Sequence, residues 1–119
     1  MAAPDKCISE QQARQLHDNW VNTREPVITQ MRNGVQDTRE VMWSLAELEE
    51  YLDYVKSESK KAGYNDPGIR VYFGAHNDVG NDRATVFFAP TKTSQEGADN
   101  NYDIEAFNFG TGGWPPRQY

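Results

Sequence analysis

Apolar residues recur at helical spacing over one long central stretch and alternate over the two stretches that follow it. Leu45, Leu48, Leu52, Val55 and Ala62 form the stripe, Tyr51 and Tyr54 flank it, and Glu47, Glu49, Glu50, Asp53, Lys56 and Ser57 point elsewhere. This is the pattern of an amphipathic helix with one buried face. Ser44 followed by Glu47 has the capping-box spacing, in which each side chain satisfies a backbone N–H that the helix leaves free. Lys60 and Lys61 complement the negative helix end, and Gly63 supplies a left-handed stop. The helix is predicted over about 45–62.

Beyond Pro67 and Gly68, residues 69–75 alternate, with Ile69, Val71 and Phe73 on one side and Arg70 and Tyr72 on the other. Such alternation predicts a half-buried strand. Residues 84–90 repeat the type, setting Val86 and Phe88 against Thr85, Phe87 and Ala89, and Pro90 closes the run because it has no N–H for a ladder. The polar connection from His76 to Arg83 makes the pair an antiparallel hairpin with a long tip.

Earlier in the chain, Ser9 and Gln12 form a second capping box, with Ile8 and Ala13 spaced as a hydrophobic staple. Ala13, Leu16 and Trp20 then line one face of a helix. Pro26 fits a first helical position, so a short second helix carrying Val27, Ile28 and Met31 is predicted up to Gly34. Residues 39–43 alternate Val41 and Trp43 against Met42, which predicts a strand directly before the Ser44 cap. A strand, helix, strand order predicts parallel neighbours with a right-handed crossover. The expected fold is therefore α+β: a small, mainly antiparallel three-stranded sheet, with helices on one face and the C-terminal segment on the other. Residues 1–8 are expected to be a disordered lead to a single domain over 9–119.

At 119 residues the chain is long enough for one core without a staple. Cys7 is the lone cysteine, so neither an internal disulfide nor a multi-cysteine zinc site can form. No apolar run approaches the roughly 20 residues of a membrane span, and the first residues lack a signal-peptide core. The expectation is a soluble, cytoplasmic protein without a membrane partner. Eighteen acidic residues against 12 basic ones give a net charge of -6. This works against nucleic acid, whose phosphates need a concentrated cationic face.

From Lys92 the chain is first polar and then aromatic without a period. Together, Trp43-Ser-Leu-x-Glu-Leu-x-x-Tyr51, Ile69-Arg-Val-Tyr-Phe-Gly-Ala75, Val86-Phe-Phe-Ala-Pro-Thr91 and the Asn108-Phe-Gly and Pro115-Pro116 ending resemble an uncharacterised family of small bacterial proteins. The resemblance covers roughly residues 37 to 119. It implies one independent domain and, because the family carries no assigned activity, no functional residues.

Chemistry is sparse. His76, Asp78 and Asp82 in the hairpin tip are the only weak metal candidates, and a solvated turn is the simpler reading. Asp99, Asn100, Asn101 and Asp103 are rich in oxygen but lack the EF-hand spacing. Gly110, Gly112 and Gly113 precede Trp114-Pro-Pro rather than a helix, which discards a phosphate loop. No nucleophile has a base placed beside it, so no catalytic residues are assigned, no cofactor is expected and the reading leans away from an enzyme.

The aromatic tail carries the functional expectation. Tyr102, Phe107, Phe109, Trp114, Pro115 and Pro116 either fold over the sheet face of Tyr72 and Phe87 or meet a protein partner or another copy of the chain. The leading expectation is a non-enzymatic protein-binding or self-assembly domain. The alternatives are an acidic inhibitor or immunity-type protein for a basic partner, and a small-molecule site lined by Trp43, Arg70, Tyr72 and Phe87.

Overall fold

The computed structural model describes residues 1–114 and 116–119. Among them lie three helices, α1 (Glu10–Thr23), α2 (Glu25–Met31) and α3 (Leu45–Lys61). The strands are β1 (Val41–Met42), β2 (Gly68–Ala75), β3 (Ala84–Thr91) and β4 (Thr111–Gly112). The fold is α+β with antiparallel pairing. Among the described residues no helix is long and apolar enough to cross a membrane.

Both capping boxes form. Ser9 Oγ accepts the Gln12 N–H at 3.1 Å and Ser44 Oγ the Glu47 N–H at 3.0 Å, with the reciprocal bonds also made. Gly63, at φ +87°, ends α3 as predicted. The Tyr64 N–H reaches the Ser59 carbonyl and the Gly63 N–H that of Lys60, the paired bonds of a Schellman stop. Pro26 lies in the first turn of α2, which follows α1 after Arg24 alone.

β2 and β3 form the expected hairpin, in register from Gly68↔Thr91 to Ala75↔Ala84. The expected third strand does not join it. β1 pairs antiparallel with β4, Val41 opposite Gly112 and Met42 opposite Thr111, giving among the described residues two two-stranded sheets and no parallel crossover. The reason lies in the tail, which takes the free edge of β3. Phe107 and Phe88 exchange backbone hydrogen bonds of 2.9 Å, and Asn101 N–H donates to the Pro90 carbonyl at 2.9 Å. The Trp43 indole N–H donates to the Asn108 carbonyl at 2.9 Å, drawing β1 to the tail as well.

The tail also lies on a different face from the one expected. Phe107 pairs with Phe88, and its ring stacks on Tyr51 of α3 at 4.5 Å. It therefore packs on the α3 side and not over Tyr72 and Phe87. Trp43 sits 5.0 Å from Phe88 and 5.6 Å from Phe107. Tyr51, Val55 and Ile104 complete a small core. Of the predicted stripe of α3, Val55 is buried and Leu48 half-buried, but Leu45 and Leu52 are exposed, and the buried face is completed by Tyr51 and Ser59. The tail supplies an acceptor for the tyrosine, the Glu105 carbonyl 2.9 Å from its hydroxyl, and that bond shifts the buried face.

The alternation of β2 is inverted in the same way. Ile69, Val71 and Phe73 are 37 %, 52 % and 85 % exposed, while Arg70 and Tyr72 are the half-buried set. Arg70 donates to Asn100 Oδ1 at 2.6 Å and to the Ala98 carbonyl at 2.8 Å. Those bonds hold the loop after β3 against the even-numbered face and leave the odd-numbered one open.

Burial pushes the Tyr51 phenol up from 10.0 to about 12, with the neighbouring Tyr54 adding to the effect. The raised value means the folded state keeps its proton where the unfolded state has lost it, so stability falls as pH rises from about 10 to about 12. Chemical denaturation across that window should show the loss in the native protein and a smaller one in Tyr51→Phe. At neutral pH, Tyr51→Phe should cost about 0.5–1.5 kcal/mol for the hydrogen bond, and Tyr51→Ala about 3–5 kcal/mol.

Candidate functional site

The most exposed ordered apolar surface on the sheet lies along β2, and the ladder geometry makes it an open edge as well. In an antiparallel pair, residues alternate between those bonded to the neighbouring strand and those whose backbone groups point away from it. Phe88 bonds the tail, as do the carbonyls of Val86 and Pro90. These three are therefore the residues of β3 that do not bond β2. Their cross-strand partners are Phe73, Val71 and Ile69. It follows that the N–H and C=O groups of Ile69, Val71 and Phe73 point outward from the hairpin. Among the described residues none of them has a hydrogen-bond partner. The same three residues thus present unpaired backbone groups and exposed apolar side chains.

Native edges are normally guarded by Lys, Pro, a bulge or an inward charge. β2 carries none of these on its exposed face. Its one charge, Arg70, is on the other face and committed to Asn100 and Ala98. The tail guards the β3 edge, and Pro90 lies in that strand.

At the Phe73 end, the sheet continues into a cleft of about 470 Å³ walled by Leu16, Trp20, Ile28, Val41, Phe73 and Val86. The helical stripe of Leu16 and Trp20 was legible in the sequence, but its opposite wall was not. At the polar rim of the cleft, Arg39 donates to Glu25 Oε2 at 2.8 Å, and the two side chains are 9 % and 10 % exposed. This buried pair, fourteen residues apart, has no local sequence signature. It fixes the start of α2 to the segment before β1.

The residues singled out from the sequence are not gathered into one site. Tyr72 and Phe87 stack at 5.2 Å, and Asn100 Nδ2 donates to the Tyr72 hydroxyl at 2.9 Å. That hydrogen bond, with a second from Arg70, holds the Tyr72 phenol below its ordinary value. Trp43 is separated from these three, being packed on Phe88 and Phe107. A second cleft of about 450 Å³ does involve Tyr72 and Phe87, with Asn100, Tyr102 and Ile104 from the tail.

Of the tail aromatics, Phe107 is in the core, whereas Tyr102 and Phe109 are almost wholly exposed. Trp114 lies under the Arg83 guanidinium at 3.8 Å, and the Pro116 carbonyl accepts from Arg39 at 3.4 Å. Pro115 lies outside the described residues. Among the described residues the tail aromatics are therefore scattered.

The hairpin tip does not assemble a metal centre. Asp82 is bonded to Arg32 at 2.7 Å, which lowers its carboxyl below the usual range. Asp78 and Asn81 exchange backbone hydrogen bonds of 3.0 Å around Gly80. Among the described residues no group of three or more His, Cys, Asp or Glu side chains is placed to hold a metal ion. The tail glycines serve packing: a Cβ on Gly110 would stand 2.6 Å from the Trp43 ring, and Gly112 lies against Thr38.

Comparison with family models, with curated proteins and with solved structures gives no match to this chain. The functional reading consequently rests on the geometry of the molecule itself.

Removing one member of a buried ion pair strands the other charge, at about 3–5 kcal/mol. Glu25→Ala should therefore lower the denaturation midpoint far more than Glu10→Ala, whose partner Arg14 is half exposed and 3.6 Å away. Equilibrium unfolding of both variants checks this.

Proposed function

We propose that the chain is a non-enzymatic protein-binding domain that docks an extended segment of its partner along β2. The observation that carries this reading is the coincidence, on Ile69, Val71 and Phe73, of outward backbone groups with side chains 37 %, 52 % and 85 % exposed. Strand addition uses both: main-chain hydrogen bonds supply affinity and alternate side chains supply specificity. The polar clusters support a structural role rather than a catalytic one. Arg70, Asn100 and Tyr72 hydrogen-bond one another, and Arg32 and Asp82 tie α2 to the hairpin tip.

A second reading is favoured by the 470 Å³ cleft, a size that suits an apolar small molecule. Such a ligand would quench Trp20 and perturb the amides at Phe73 and Gly74, which line the cleft, while leaving those of Ile69 and Val71 unchanged.

A photo-activated cross-linker replacing Phe73 should give a discrete protein adduct in cells, abolished by Val71→Lys. The same group at Val79, fully exposed in the hairpin tip, should give none. Failure of the Phe73 position to yield a discrete adduct would overturn the binding reading.

A further inference from the structure

Resting on that reading, we infer that the segment docked on β2 is β2 of a second copy of this chain, paired antiparallel about a two-fold axis at Val71.

The first support is area. A folded monomer of 13.6 kDa exposes about 6,600 Å², whereas this chain exposes 9225 Å². Its Cα radius of gyration is 16.7 Å, against about 13.5 Å for a compact domain of this length. The surplus surface, roughly 2,600 Å², includes the exposed first nine residues. Even so, it exceeds the roughly 800 Å² per partner of a standard interface. It includes the exposed Val71 and Phe73 on the edge and Leu16, which lines the cleft with Phe73.

The second support is register. Directly opposed residues of an antiparallel pair lie on the same face, so odd positions of one β2 must meet odd positions of the other. Centring the axis on Val71 sets Val71 against its own mate and Ile69 against Phe73 of the second copy. The outward N–H and C=O groups of all three are then satisfied. Arg70 falls opposite Tyr72 of the second copy, cation against ring. Moving the axis to Arg70 would oppose two like charges, which destabilises a cross-strand pair. The β2 sequence, Gly-Ile-Arg-Val-Tyr-Phe-Gly-Ala, has neither proline nor lysine to block its own pairing.

The experiment is sedimentation of the full chain with amide hydrogen exchange over a dilution series. The expected result is a species of twice the chain mass at micromolar concentration. On dilution, the amides of Ile69, Val71 and Phe73 alone in β2 should lose about tenfold or more of their protection. Those of Arg70, Tyr72 and Gly74, bonded to β3, should stay protected. Val71→Lys and, as a second variant at the more exposed position, Phe73→Lys should each give a folded monomer by circular dichroism. A monomer at every concentration would overturn the inference. So would a dimer that survives both substitutions, or one that leaves the three amides unprotected. A monomer that still yields a Phe73 adduct of another mass in cells overturns the second copy alone and leaves the binding reading standing.

Discussion

The structure depends on the stack in which Tyr51 of α3 lies on Phe107, Phe107 pairs with Phe88, and Trp43 closes over both phenylalanines. These four rings come from the long helix, the tail, the hairpin and the end of β1, and few other buried apolar side chains accompany them. Aromatic pairs of this kind contribute about 0.5–1.5 kcal/mol each beyond their buried area. The stack also fixes direction. Because Tyr51 donates to the Glu105 carbonyl and Trp43 to that of Asn108, the tail is held at two points and runs along β3 in one register.

From that placement the remaining architecture follows. With the tail on the β3 edge, β2 becomes the outer strand, and β1 finds its partner in β4. The loop between β3 and the tail is pulled over the even-numbered face of β2 by Arg70, which leaves the opposite face bare. The open strand is thus a result of where the tail packs and not an isolated irregularity. Gly110 permits it, since the tail passes too close to the Trp43 ring there for a Cβ to fit.

Local structure was legible in the sequence. The Ser9 and Ser44 caps, the Gly63 stop and Pro26 at the start of α2 all involve residues within a few positions of one another, where backbone chemistry decides the outcome, and the hairpin joins two strands adjacent in the chain. The non-local choices were not legible. Alternation in Gly68–Ala75 shows that its two faces differ, but the apolar one is not thereby the covered one. An arginine bonded to an asparagine thirty residues away reversed that choice. The stripe of α3 was right at Val55 and misled at Leu45 and Leu52 for the same reason: a tyrosine with a carbonyl acceptor on the tail shifted the buried face. The aromatic tail did signal that something must cover it. Its partition between core, edge and solvent depended on pairings that no short window of sequence records.

The Trp43 indole finds its acceptor 65 residues further along, and β1 pairs with a segment more distant still. Closing such loops carries an entropic penalty that local elements escape. During translation, α3 and the hairpin can form as they emerge, whereas the Trp43 ring waits until Asn108 has been made. A nascent chain in that interval leaves both hairpin edges unpaired, and only the arrival of Phe107 and Asn108 leaves a single edge open.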